Sequence, residues 1–200
     1  MGCPSLWARM AHSIFPDAAI HAIEPQPVCR AFLDQLARRA GRITVHPVAV
    51  TDAGVTRVRL IGGGKAGGGT GAWVARSGEY AAGDLECAAT TLDSLFADRV
   101  TRQDRALIKL DLEGHELVAL RGGARVLQAA ELVMTELRFF ELDDSGRPLL
   151  ADVLNFLGQR EFVVYDLASL SSRPRDMRLR MGDIIFARRD SPLLADRSWE

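Results

Sequence analysis

Asp111 and Glu113 stand two residues apart at the end of a short apolar run, Ala106-Leu107-Ile108-Lys109-Leu110, and Gly114, His115 and Glu116 follow at once. An apolar run that stops on carboxylates and then turns helical has the profile of a buried parallel strand. Its carboxyl end delivers acids into a crevice, where open α/β sheets bind their ligands. A plainer reading is also open: Asp111 caps the next helix and Glu113 sits in its first turn, where the dipole favours an acid. A second candidate is Gly62–Gly71, with seven glycines in ten positions. Bare backbone N–H groups can wrap an anion. The phosphate-loop pattern, however, needs Gly-Lys followed by Ser or Thr, and Lys65 is followed by Ala66. This composition predicts a surface loop. Cys3, Cys29 and Cys87 are too few and scattered for a disulfide framework or a C-x-x-C metal site, so a reducing cytoplasm is the expected compartment. His12, His21 and His46 are scattered along the chain and read as incidental surface residues.

The elements that must position these residues follow from periodicity. Ser5–Ile14 predicts a helix with Leu6, Met10 and Ile14 on its apolar face, and Ala18–Ile23 a strand closed by Glu24-Pro25. Pro27–Ala40 reads as a helix through Val28, Phe32, Leu33 and Leu36, with Arg38 and Arg39 in its last turn and Gly41 as its stop. Strands are expected at Ile43–Val50, interrupted by Pro47, at Val55–Ile61, Ala72–Ala75 and Leu85–Ala89. Thr91 caps a short helix, and the Asp111 strand leads into two helical pieces parted by Gly122-Gly123. The strand Glu131–Leu137, a helix at Pro148–Leu157 and the strands Phe162–Tyr165 and Ile184–Ala187 complete the series, with Ser169–Arg180 expected as a polar loop. Strands alternating with helices argue for an α/β, doubly wound and mostly parallel sheet with an antiparallel hairpin at one edge.

The 200 residues suit a single domain spanning 1–200, and 48% hydrophobic with 26% charged content is that of a globular protein. A formal charge of −1 gives no electrostatic case for nucleic acid or an anionic membrane. No run approaches the ~18 apolar residues of a membrane span, and the amino terminus lacks the pattern of a signal peptide.

The segment Ile108-Lys109-Leu110-Asp111-Leu112-Glu113-Gly114-His115-Glu116, continuing through Leu120 and Gly122, resembles the I-K-I-D-V-E-G-x-E-x-x-x-L-x-G segment of the FkbM-type S-adenosylmethionine-dependent methyltransferases. Ala22-Ile23-Glu24-Pro25, Ala49-Val50-Thr51-Asp52 and Thr91-Leu92-Asp93 resemble further family motifs in the same order, over about residues 10–189. The resemblance implies a class I, Rossmann-like fold, S-adenosylmethionine as cofactor, and O-methylation of a small-molecule or glycan acceptor such as a saccharide, glycolipid or secondary metabolite. It implies that Glu24 holds the cofactor ribose, whose two hydroxyls a strand-end acid can accept. Ala49 and Val50 would pack the adenine, with Asp52 either accepting from its amine or serving only as a turn former. Asp111, Glu113 and His115 would lie where donor and acceptor meet, as base or anchor for the acceptor proton. Glu136 could face the same crevice, and oxygen ligands from Asp111, Glu113 and Glu136 make a metal conceivable, though none is required.

One family element has no counterpart. The opening strand and its glycine-rich, D-x-G-A-N-x-G-like turn are missing, and Met1-Gly2-Cys3-Pro4 leads straight into the helix that should follow. The first strand of the sheet is therefore expected to be absent, and the sequence to be an amino-terminally incomplete form that binds cofactor weakly or not at all by itself. The alternative is a non-catalytic, methyltransferase-like binding module.

Overall fold

Punctuation in the sequence sets most of the element boundaries in the computed structural model, which describes residues 4–62, 71–75, 84–141 and 146–198, with side chains from residue 6. The expected loop at Gly62–Gly71 lies outside the described residues except at its ends. The chain divides into two compact units, Met1–Thr90 and Thr91–Glu200.

The first unit holds α1 (Pro4–Ile14), β1 (Ile20–Ile23), α2 (Pro27–Ala40), β2 (Ile43–His46), β3 (Ala49–Val50), β4 (Arg57–Ile61), β5 (Trp73–Val74) and β6 (Leu85–Thr90). Pro27 opens α2 where its missing N–H costs nothing, and Gly41 closes it at φ +72°, its N–H bonding the Ala37 carbonyl at 3.0 Å. Pro47 does more than interrupt a strand: β2 before it pairs in parallel with β1, while β3 after it pairs in parallel with β6 in a different sheet. That second sheet runs β3-β6-β4-β5, antiparallel beyond β6. Two expected apolar faces are corrected. Leu6, Met10 and Ile14 of α1 are exposed, and the helix is buried through Ala8 and Ala11, whose small side chains permit a close approach of α1 to α2. Likewise α2 buries Cys29 and Leu33, whereas Phe32 is exposed.

The second unit holds α3 (Leu92–Phe96), β7 (Leu107–Leu110), α4 (Glu116–Arg121), α5 (Ala124–Ala129), β8 (Leu132–Arg138), α6 (Leu150–Gly158), β9 (Phe162–Ser172) and β10 (Leu179–Arg188). Thr91 caps α3 as expected, its hydroxyl accepting from Ser94 N at 2.9 Å. The Asp93 carboxylate accepts from the N–H groups of Arg125 and Val126 at 2.9–3.0 Å and so caps α5. The sheet order is β7-β8-β10-β9, with β7 and β8 parallel and the rest antiparallel. One face carries Leu110, Val133, Leu137, Ile184 and Phe186 into an apolar cluster with Leu117, Leu120, Leu127, Val153 and Leu157. Each fully buried leucine there is worth roughly 1.5–3 kcal/mol of transfer free energy. Alternation along β8 then places Met134, Glu136 and Arg138 on the other face, with Lys109 of β7 and Asp183 of β10 as neighbours in register.

The mixture of helices and strands is α/β, and the edge hairpin is present. The described strands nevertheless form three small sheets of mixed direction rather than one doubly wound, mostly parallel sheet. The expected loop at Ser169–Arg180 is overturned. β9 continues to Ser172 and β10 begins at Leu179, leaving a short turn. Its residues satisfy their backbone groups against each other at an edge, so the stretch needs no apolar alternation to form.

Candidate functional site

The acidic cluster is built by the β7–α4 junction. After Leu110 the backbone passes through Asp111 and Leu112, then turns at Glu113 (φ +53°) and Gly114 (φ +94°) into α4. A positive φ at a non-glycine residue is uncommon and marks a held turn. Three contacts hold it. Leu112 N and Gly114 N donate to the buried Glu116 carboxylate at 2.8 and 3.2 Å, and Arg147 Nη1 donates to the Glu113 carbonyl at 2.6 Å. Glu116 is the residue that inspection of the Asp111–His115 acids alone passes over. Its signal was available as the final acid of E-G-x-E. Burial raises the Glu116 pKa, against the opposing effect of those backbone donors. Asp111 does not cap α4. The N-cap position is His115, which makes no side-chain capping bond.

Around this turn lies a cleft of about 10 Å³, room for a water-sized group, lined by Glu113, Gly114, Glu116, Glu136, Arg138, Pro148 and Met181. Glu136 is there, as the sequence allowed. Burial, then the charges of Asp111, Glu113 and Asp183, push its pKa to about 7, with Lys109 opposing. Burial and the neighbouring Asp111 also raise Glu113, while Arg138 and Arg147 pull the other way. Burial lowers His115 to about 4, which keeps its imidazole neutral near pH 7. Beside the cleft, Lys109 Nζ bonds Asp183 Oδ1 at 2.9 Å and lies 3.8 Å from Asp111 Oδ2. Ser169 Oγ donates to Asp183 Oδ2 at 2.7 Å. Burial works against the Asp183 carboxylate, but the bonds from Lys109 and Ser169 outweigh it and hold its pKa below the usual range. Among the described residues, no three His, Cys, Asp or Glu side chains come together in a way that could hold a metal ion. Asp111, Glu113, His115 and Glu136 thus share one end of one sheet in the second unit.

A larger cleft of about 410 Å³ opens at the opposite end of that sheet, by Arg102, Arg105 and Arg188. Its three arginines share two carboxylates: Arg102 pairs with Asp190 at 2.6 Å, Arg105 with Glu131 at 2.9 Å and Arg188 with the same Asp190 at 3.4 Å. It lies away from the carboxyl ends of β7 and β8.

The other expected site residues belong to the first unit. Glu24 follows β1 and is buried, its Oε1 accepting from Gln26 N at 2.7 Å. Burial raises its pKa, against the Gln26 hydrogen bonds and the Arg30 charge. Ala49 and Val50 form β3 and are buried. The Asp52 carboxylate accepts from Ala53 N at 2.7 Å. His21 and His46 are not scattered in space. Diagonal across β1 and β2, their Nδ1 and Nε2 lie 3.0 Å apart.

No helix of the described residues is long and apolar enough to cross a membrane. A family model described as the methyltransferase FkbM domain matches residues 5–164. No curated protein and no solved structure matched the chain.

Proposed function

The chain belongs to the FkbM methyltransferase family, and from that premise we propose that it serves S-adenosylmethionine-dependent O-methylation of a hydroxyl on a saccharide, glycolipid or secondary metabolite. The observation that carries this reading is the conjunction of the family match with an acidic crevice at the carboxyl ends of β7 and β8, one of whose carboxyls, Glu136, has a pKa of about 7. An alternating strand-and-helix order supports a Rossmann-like arrangement.

The residues fit the cofactor in their chemistry. Glu24 is a buried carboxylate at a strand end whose raised pKa marks incomplete compensation, and the paired hydroxyls of a ribose are the donors such a group lacks. Ala49 and Val50 would flank the adenine, and Asp52 would accept from its amine. When bound, the cofactor supplies an electrophilic methyl group. The chain's part is to position the acceptor hydroxyl and take its proton. A base works best with a pKa near the operating pH, which favours Glu136 for the proton and leaves Asp111 and Glu113 to anchor the acceptor. His115, neutral and with a pKa near 4, is suited to orienting a hydroxyl more than to removing its proton.

The test is cofactor affinity of the protein carrying this chain. Calorimetry should find S-adenosylmethionine bound, and Glu24→Ala should weaken it by at least about 30-fold, equivalent to about 2 kcal/mol. Unchanged affinity would remove Glu24 from the cofactor. A protein that neither binds S-adenosylmethionine nor transfers its methyl group is the non-catalytic binding module instead.

A further inference from the structure

Residues 173–180 read Arg-Pro-Arg-Asp-Met-Arg-Leu-Arg, four guanidinium groups against one carboxylate. They span the turn between β9 and β10, residues 173–178, and the first two residues of β10, Leu179 and Arg180. Asp176 is engaged by Arg173 and by the Arg178 backbone N–H, with Arg175 at 3.9 Å. The segment therefore keeps a net charge of +3 (four arginines less Asp176). Arg175, Arg178 and Arg180 are exposed.

Antiparallel pairing puts this turn at the site end of the sheet. Met181, one residue past Arg180, is in register with Arg138, and both line the acidic cleft. Phe139 N donates to the Arg180 carbonyl at 2.9 Å. The Phe140 ring lies 3.9 Å from the Arg178 guanidinium and 5.2 Å from that of Arg173. These bonds fix the turn to the segment that leaves β8, the strand of Glu136.

We propose that this arginine turn is the specificity element of the acceptor site, and that it selects an acceptor carrying a phosphate or carboxylate group. The inference rests on the methyltransferase reading for the word acceptor, and on the geometry alone for the anion. Glu113, Glu116 and Glu136 outnumber Arg138 among the charged groups that line the cleft, while Arg175, Arg178 and Arg180 add three cations at its rim, so the anionic group of an acceptor is favoured at the rim rather than on the floor. At roughly 3.3 Å per strand residue, Arg180 stands about 10 Å along β10 from Asp183, with the turn that carries Arg175 and Arg178 beyond it. The acceptor's anionic group would therefore sit about one or two sugar rings away from its reactive hydroxyl.

Binding to the full chain at low ionic strength tests this with three probes: glucose 6-phosphate, glucuronate and glucose. At least one anionic sugar is expected to bind at least ten times more tightly than glucose, and which one does so identifies the head group. Arg175→Ala/Arg180→Ala should remove that advantage. Arg175→Lys/Arg180→Lys, which keeps the charge, should retain most of it and serves as the folding control. Equal binding of all three sugars, or an unaffected alanine variant, overturns the proposal. No methyl donor is present in these measurements. A chain inactive in methyl transfer can still pass them, and one that methylates neutral acceptors can still fail them, so the two readings fall separately.

Discussion

Leu112 donates its backbone N–H to the Glu116 carboxylate at 2.8 Å, and that one bond spans the turn that presents Asp111 and Glu113. Gly114 N reaches the same oxygen at 3.2 Å. Glu116→Ala strands two donors in a part-buried turn, at a cost of about 2–4 kcal/mol. Glu116→Gln keeps an acceptor oxygen and should cost distinctly less. Urea denaturation of the two variants measures the difference, and equal losses would show that the oxygen is not what holds the turn.

Gly114 is needed twice over. Its φ is +94°, and a Cβ there would lie 2.5 Å from Arg147 Cδ. Gly114→Ala should destabilise the chain by about 1–3 kcal/mol. Adding Arg147→Ala relieves the contact but not the backbone strain, and measured against Arg147→Ala alone, which already lacks the bond to the Glu113 carbonyl, Gly114→Ala should still cost part of the loss. No further loss in a thermal melt would mean that the dihedral strain is negligible.

Glu136 ties stability to pH. Its folded pKa of about 7 lies above its ordinary value of 4.5, so the folded state holds the proton more tightly than the unfolded chain. The resulting stabilisation is complete below about pH 4.5 and is lost as pH rises to about 7. Glu136→Gln cannot titrate, and its Tm should fall less than that of the parent across this window. Parallel Tm profiles for the two proteins would contradict the assignment.

Thr135 sits at the centre of β8, fully buried, with its hydroxyl unbonded. Thr135→Val replaces that hydroxyl with a methyl group of similar shape in an apolar surround. A gain of about 1 kcal/mol is expected, read as a higher Tm. A loss would mean that the hydroxyl has a partner in solution.

Strong punctuation made much of this fold legible in advance. Pro27 and Gly41 bound α2 at the expected residues, Thr91 caps α3, and Gly122-Gly123 separates α4 from α5. Faces were harder. Burial of α1 goes through Ala8 and Ala11 because contact with α2 rewards smallness, which a search for large apolar side chains ranks last. Strand length at the β9–β10 edge was hidden for a related reason: pairing there is a backbone matter, and side chains such as Ser169, Ser171 and Ser172 carry no alternation. Within the site, Asp111, Glu113 and Glu136 were readable as strand-end acids. The carboxylate that holds the turn bearing Asp111 and Glu113, Glu116, looked like one more helical residue until its two backbone donors were in view.

The register shifts of that edge bear on how copies of the chain meet one another. Pairing of β9 with β10 slips at three places, and two of the slips leave an extra residue on β9, Tyr165 and Ala168. β9 is also an edge strand of its sheet and displays Val164, Leu167 and Leu170. A flat strand of that composition would template a neighbour's backbone. One bent at two points offers no continuous ladder, so the exposed leucines and valine are tolerated without inviting fibrous growth.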